Sequence, residues 1–137
     1  MRLYIGGCYQ GKREYVLSNW TGDSETCQGL SVVLVADGKT ALLQEIMQAD
    51  VLDHFHLWVR RLLDSGKTET EVLDVTREIV ETCPDIWIIC DEVGMGIVPV
   101  DVFERQYREV VGRCCCELAK EAQQVVRIVC GIGMRIK

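Results

Sequence analysis

The start of the chain restricts the fold most, because a strand, a glycine-rich turn and a helix follow one another there. Residues 3–5 form a short apolar run typical of a buried strand, and Gly6 and Gly7 follow it directly. Apolar residues then recur at helical spacing over residues 14–20. A strand that turns through glycines into a helix directs backbone N–H groups toward one point. The segment therefore predicts an α/β unit with an anion-binding turn.

The turn itself has the spacing of a phosphate-binding loop. Residues 6–12 match G-x-x-x-x-G-K, and the lysine of this motif would supply a movable positive charge for the terminal phosphates. The motif normally continues with Ser or Thr, whose hydroxyl holds Mg²⁺, but this chain has an arginine there. The arginine is compatible with nucleotide or phosphate binding but argues against Mg²⁺-dependent phosphoryl transfer. An alternative interpretation of the whole motif is that its glycines only give the backbone room to turn. The predicted nucleotide-binding residues of the loop are Gly6, Gly7, Cys8, Tyr9, Gln10, Gly11, Lys12 and Arg13.

Strand-type and helix-type segments alternate along the rest of the chain. Apolar runs predict strands over residues 30–35, 86–90 and 125–130, the second of them central in the sheet. Helical periodicity predicts helices over residues 40–63, with a break near Asp50, and over 68–82 and 102–122, while 21–29 and 91–99 read as loops. This order predicts a P-loop NTPase-like, three-layer α/β/α fold with a mainly parallel sheet. Ligands of such sheets lie beyond the carboxyl ends of the strands.

Composition narrows the class of protein further. A chain of 137 residues that is 48% hydrophobic and 26% charged is expected to form one globular domain, residues 1–137. No apolar run approaches the roughly 20 residues that cross a bilayer, and no signal peptide precedes the first strand, so we expect a cytoplasmic protein without a membrane partner. The net charge of −6 and the scattered basic residues argue against nucleic acid as a partner.

The eight cysteines do not form a recognisable metal-binding or disulfide pattern. No C-x-x-C pair is present, and the consecutive residues Cys114 to Cys116 would point about 100° apart on a helix. We expect reduced thiols. A thiol-based redox or metal protein remains an alternative that rests on the cysteine count alone.

Three strings in the second half of the chain carry a family resemblance. They are D-E-V-G-M-G-I-V-P at residues 91–99, F-E-R-Q-Y-R-E-V-V-G-R at 103–113, and C-G-I-G-M-R-I-K at 130–137. They resemble the bifunctional cobinamide kinase/cobinamide-phosphate guanylyltransferase family of cobalamin biosynthesis, whose pattern includes N-E-V-G-x-G-I-V-P. The amino-terminal loop resembles the family's G-G-x-R-S-G-K-S, and residues 53–63 resemble its D-C-L-T-L-W-L-x-N-L-L. The chain is identified as a shortened and divergent member.

The resemblance implies a transferase that uses ATP or GTP with Mg²⁺, acts on a corrinoid (cobinamide) and assembles as a homotrimer. It implies that Lys12 is catalytic and stabilises the transferred phosphoryl group. Asp53 matches an acidic residue of the family and is implied to be catalytic, to contact the nucleotide and to place the Mg²⁺.

Four further polar residues in the family-like strings have two interpretations each. Asp91 and Glu92 follow the predicted central strand and either lie near the phosphates or cap the glycine loop after it, and Glu92 is the predicted nucleotide contact. Arg105 and Arg108 match the family's R-x-x-R pair, which would reach a phosphate or a neighbouring subunit; the alternative is a solvated helix face.

The chain departs from the family where chemistry is expected. The family's middle segment carries a histidine that accepts GMP covalently, whereas residues 30–50 contain no histidine, so we predict that guanylyltransferase activity is absent. His54 and His56 do not match that histidine by position and are expected to be partly exposed on an amphipathic helix, or else to contact nucleotide or phosphate. Cys115 stands where the family has asparagine. Two functions therefore remain open: a cobinamide kinase, and a non-catalytic paralogue that binds a nucleotide, a phosphorylated ligand or a partner.

Overall fold

The structure, a computed structural model, describes residues 1–20 and 32–137. Strands and helices alternate over most of the chain, although one pair of helices and the last two strands follow each other directly, and this order confirms the predicted α/β class. No helix in the described ranges is long and apolar enough to cross a membrane. The elements in chain order are β1 Arg2–Gly6, α1 Lys12–Asn19, β2 Val35–Asp37, α2 Leu43–Ile46, β3 Val51–Asp53, α3 Phe55–Asp64, α4 Glu69–Thr82, β4 Trp87–Asp91, α5 Val102–Glu121, β5 Gln124–Val129 and β6 Ile132–Arg135.

The strands form one mainly parallel sheet, as predicted. Their order is β2-β3-β4-β1-β5-β6, and every neighbouring pair is parallel except β5 and β6. β4 lies inside the sheet between β3 and β1, which confirms its predicted central position. β1 lies between β4 and β5, so the loop after β1 opens at the carboxyl edge between the two halves of the sheet.

Helices cover both faces of the sheet because successive strand residues point to opposite sides. Along β4, Trp87 and Ile89 join an apolar cluster that includes Val16 of α1. Ile88 and Cys90 join a second, larger cluster to which α3, α4 and α5 contribute. The two clusters give the three layers that the alternation of elements predicts.

Two expected elements differ from the structure. The prediction of helix over residues 40–63 with a break near Asp50 is correct only in part: α2 and α3 occupy this segment, but β3 lies between them directly after Asp50. All three residues of β3 are buried, so the strand shows no alternation, and its apolar residues continue the helical spacing of their neighbours. Of the strand predicted over 30–35, residues 30 and 31 lie outside the described residues, as does the predicted loop over 21–29, and the strand begins only at Val35.

The end of the chain contains a strand that the sequence did not predict. β5 and β6 form an antiparallel hairpin joined by Cys130 and Gly131, which have φ angles of 51° and 77°. Left-handed residues at both turn positions are typical of the tight two-residue hairpin turn. The glycines at 131 and 133 look like loop residues in the sequence, and one of them in fact forms the turn.

Candidate functional site

Three neighbouring strands end in aspartate at the same edge of the sheet. Asp37 ends β2, Asp53 ends β3 and Asp91 ends β4. Asp37 and Asp53 are paired in register, and Asp91 is paired with Gly6 at the start of the glycine loop. Because parallel strands bring their carboxyl ends together, the loop opens beside these carboxylates. A cavity of about 430 Å³ lies there, and residues 8–14, Asp53, His54, Ile89 and Asp91 line it.

A second cavity, of about 570 Å³, is larger but lies at the opposite edge of the sheet. Its lining includes Arg2 and Trp87, which begin β1 and β4. We place the candidate site at the smaller cavity because the loop and the carboxylates meet there.

The loop has a defined shape that depends on glycine. Gly11 has a φ of 76° and immediately precedes α1, and Tyr9 also has a left-handed φ of 58°. The β5–β6 hairpin holds the loop from the side: the carbonyl of Gln10 accepts a hydrogen bond of 2.8 Å from the N–H of Gly131, and its side-chain oxygen accepts one of 2.7 Å from the N–H of Cys130. The hairpin, which lies about 120 residues further along the chain, therefore helps to fix the shape of the loop.

Lys12 is buried beneath the loop, with only 6% of its surface exposed. Its ammonium donates a hydrogen bond of 2.7 Å to the carbonyl of Gly7 and lies 2.7 Å from Oδ1 of Asp91. Burial alone would raise the pKa of Asp91, but the hydrogen bond from Lys12 and the electrostatic influence of the neighbouring His56 and Lys12 side chains lower it below its ordinary value. The site therefore holds a positive charge of fixed position at the base of the loop.

His56 is buried, which corrects the expectation that it is partly exposed on a helix surface. Its Nδ1 accepts a hydrogen bond of 3.2 Å from the backbone N–H of Asp91. Burial lowers its pKa despite the nearby Asp91 carboxylate, so the neutral form is favoured. Because Nδ1 is an acceptor, Nε2 carries the proton, and it lies 3.7 Å from Oδ2 of Asp91. His56 thus helps to orient Asp91.

His54 is 28% exposed and precedes α3 rather than lying within it. It has a left-handed φ of 52°, and its Nδ1 lies 3.0 Å from Oδ1 of Asp37. Burial raises the pKa of Asp37, but the backbone N–H of Lys39 and the imidazole of His54 outweigh it and lower the pKa below its ordinary value. His54 therefore joins β2 to the edge of the cavity.

Arg13 and Asp53 form an ion pair at the place where a metal ion is expected. Nη1 of Arg13 donates a hydrogen bond of 3.0 Å to Oδ2 of Asp53, whose side chain is only 4% exposed. Oδ1 of Asp53 accepts a hydrogen bond of 2.8 Å from the backbone N–H of His54. The residues present do not fit the usual Mg²⁺ arrangement, because the hydroxyl position is a guanidinium that neutralises the nearest carboxylate.

Glu92 lies near the loop but does not line the cavity. Its backbone N–H donates to the carbonyl of Gly6 over 2.9 Å, and its side chain accepts a hydrogen bond of 3.0 Å from Nη2 of Arg127. Asp91, rather than the predicted contact Glu92, faces Lys12. The reason is strand alternation: Cys90 packs on the α5 side, so the next residue faces the α1 side.

Arg105 and Arg108 bind the backbone of the loop after β4. Arg105 donates to the carbonyls of Pro99 and Val100 at 2.9 and 2.6 Å, and Arg108 donates to the carbonyl of Ile97 at 2.8 Å. Both guanidinium groups therefore anchor this loop to α5.

The seven cysteines of the described ranges are free thiols. Within residues 1–20 and 32–137, no three His, Cys, Asp or Glu side chains converge in a way that could hold a metal ion.

Comparisons with known proteins agree with the resemblance in the sequence. The sequence model of a family described as cobinamide kinase / cobinamide phosphate guanyltransferase matches residues 25–136. The bifunctional adenosylcobalamin biosynthesis protein CobU of Escherichia coli (strain K12) is 41% identical over 58 residues, which cover 42% of this chain and 32% of that protein. The protein of the same name from Salmonella typhimurium (strain LT2) gives the same identity and coverage. The aligned segment thus spans about a third of the length of these curated relatives.

Proposed function

The chain belongs to the cobinamide kinase / cobinamide phosphate guanyltransferase family, and from that premise we propose that it binds ATP or GTP at residues 6–13 and phosphorylates a cobinamide-type corrinoid alcohol. The burial of Lys12 between Gly7 and Asp91 carries this proposal. A buried lysine at the start of a helix, directly under a glycine loop, is the arrangement by which phosphate-binding loops hold a phosphate chain. The homotrimer, the cytoplasmic location and the single domain over residues 1–137 stay predictions.

In this proposal, one set of residues binds the phosphates of the nucleotide, and another set positions the lysine that contacts them. The loop N–H groups and the N-terminus of α1 face the phosphates, and Lys12 exchanges part of its contact with Asp91 for a phosphate oxygen. Asp91 and His56 hold the lysine in position through the pair described above. Phosphoryl transfer depends mainly on such positioning and on charge neutralisation, and these are the contributions that the proposal assigns to the loop and to Lys12.

Arg13 supplies the second positive charge of the site in this proposal. Its guanidinium forms an ion pair with the buried carboxylate of Asp53, at the position where a metal ion would otherwise supply the positive charge. A guanidinium can bind a carboxylate and a phosphate oxygen at the same time because it carries five donors. We therefore infer that nucleotide binding depends only weakly on Mg²⁺.

Titration of ATP and of GTP, each with Mg²⁺ and with EDTA, tests this inference. We expect the Kd of the unchanged protein to differ by no more than about threefold between the two conditions, less than 1 kcal/mol. In the Arg13→Ser variant, which restores the hydroxyl of the motif, Mg²⁺ should tighten binding by about tenfold or more. Calorimetry on both proteins measures these values. Equal Mg²⁺ dependence in the two proteins would contradict the role of Arg13.

Guanylyl transfer is predicted to be absent, since no residue of the chain matches the GMP-accepting histidine of the family. His56 is buried with Nδ1 on the β4 backbone, and His54 is bound to Asp37. Incubation with GTP followed by intact-mass spectrometry should therefore detect no added GMP. A stable GMP adduct on His54 or His56 would overturn the prediction.

A non-catalytic nucleotide-binding paralogue is the second candidate, and the Arg13–Asp53 ion pair favours it. The two candidates differ in product formation rather than in binding. Mass spectrometry of cobinamide incubated with ATP and the protein distinguishes them, because only the kinase yields a phosphorylated corrinoid.

A further inference from the structure

Two thiols from different elements lie against each other behind the nucleotide site. Sγ of Cys90, at the end of β4, is 3.6 Å from Sγ of Cys115 on α5. A disulfide has an S–S length of about 2.05 Å, so the sulfur atoms need to approach by only about 1.5 Å. By contrast, Cys114 lies beside Thr76, and Cys83 beside the carbonyl of Met47.

The two thiols differ in their access to solvent. Cys90 belongs to the main apolar cluster and is 1% exposed, whereas Cys115 is half-buried on the surface of α5. A small oxidant can therefore reach Cys115 first, and Cys90 can react with it afterwards without leaving the core.

The pKa values of the two thiols also favour Cys115 as the first to react. The contact with Cys115, together with complete burial, raises the pKa of Cys90 well above its ordinary value. The hydrogen bond with Cys90 lowers the pKa of Cys115, although burial opposes this shift. The thiolate, which is the reactive form, is therefore favoured at the accessible cysteine.

We propose that Cys90 and Cys115 form a modification site at which a peroxide closes an intramolecular disulfide between β4 and α5. The Cys115 thiolate attacks a peroxide oxygen, which gives a sulfenic acid and hydroxide. The Cys90 thiol then attacks the sulfenic sulfur, the S–S bond forms, and water leaves. The hydroxide takes up the proton that Cys115 released, so two thiols and one hydrogen peroxide give one disulfide and two waters. Each sulfur loses one electron, and the peroxide gains two.

The position of the bond links it to the nucleotide site. Cys90 directly precedes Asp91, whose carboxylate holds Lys12. The disulfide would therefore tie the base of the site to α5, the helix that also anchors the loop after β4 through Arg105 and Arg108.

Peptide mapping after peroxide treatment tests the proposal without reference to nucleotide binding. The full chain is treated with hydrogen peroxide, remaining thiols are alkylated, and the protein is digested with trypsin without reduction. We expect one linked pair of peptides, residues 78–105 joined to residues 114–120, which separates after reduction. Cys115→Ser and Cys90→Ala should each remove the linked pair.

Cys116→Ser is the matched control, because this neighbour is exposed on the same helix and its substitution should leave the linked pair unchanged. The linked pair persisting in Cys115→Ser or in Cys90→Ala would overturn the proposal, as would its absence from the peroxide-treated wild type. Circular dichroism of each variant confirms that it is folded, and if Cys90→Ala misfolds, the half-buried Cys115→Ser variant decides between the two outcomes.

Discussion

Replacing Lys12 with alanine is expected to weaken ATP and GTP binding by about 10- to 100-fold, which corresponds to the roughly 1.5–3 kcal/mol of hydrogen bonds to charged groups. The side chain is the buried cation closest to the glycine loop, and its ammonium contacts both Gly7 and Asp91. The calorimetric titration described above measures the loss. Binding of unchanged affinity in Lys12→Ala would exclude the loop as the nucleotide site.

The same substitution should also destabilise the protein, in a manner that depends on pH. The folded-state pKa of Asp91 is lowered, so its ion pair stabilises the fold above the ordinary aspartate pKa of 3.8, and this contribution is lost as the pH falls through the folded value. Removing the cation leaves a largely buried carboxylate without its partner, at a cost of about 3 kcal/mol. The cost should be greatest at neutral pH and smaller in acid. His56 and Cys8 also face this carboxylate and are unchanged in the variant.

Urea unfolding at neutral pH and below the ordinary aspartate pKa measures this difference. Lys120→Ala is the control, because Lys120 is 65% exposed on α5 and pairs with Glu117 at the surface. Because exposed ion pairs contribute little, we expect its free energy of unfolding to stay close to that of the unchanged protein at either pH. A Lys12→Ala cost that is equal at both pH values would show that the ion pair with Asp91 is not its cause.

Replacing Gly6 with alanine should cost about 3 kcal/mol in the free energy of unfolding, the upper part of the range for overpacking. An added Cβ would lie closer than 3.0 Å to the carbonyl oxygen of Ile128. That oxygen belongs to the backbone of β5, so relief requires the separation of β1 from its neighbour. Since Gly6 also begins the loop, nucleotide binding should weaken in parallel. Urea unfolding and the calorimetric titration measure the two effects.

Gly112→Ala is expected to change the free energy of unfolding in the opposite direction. Gly112 lies within α5, and an added Cβ would have no neighbour within 4 Å. Because alanine favours a helix over glycine, this change should stabilise the protein by up to about 1 kcal/mol. A Gly6→Ala variant as stable as the unchanged protein would contradict the close approach of β1 and β5.

The parts of the site that are local in sequence could be predicted. The loop, its lysine and the unusual Arg13 lie within eight consecutive residues, and their spacing depends only on the strand, turn and helix that contain them. The sequence also predicts β4 from its continuous apolar run and α5 from its long helical periodicity.

The parts that depend on distant contacts could not be predicted. β3 is a strand only because β2 and β4 pair with it, and its three residues are too few to show a period. The partner of Lys12 is Asp91 rather than Glu92 because Cys90 packs against α5 and sets the direction of the next residue. His56 is buried because α3 packs against the end of β4.

The sequence by itself determined that the chain is an α/β protein with a phosphate-loop pattern and an arginine in place of the usual hydroxyl, because local periodicity and motif spacing carry that information. The tertiary structure decided which side chains are paired. Lys12 forms an ion pair with Asp91, Arg13 forms one with Asp53, and the thiol of Cys90 contacts that of Cys115. The physical reason is that ion pairs and thiol contacts act over a few ångströms, and the packing of strands and helices brings together residues that are 25 to 79 positions apart in the chain.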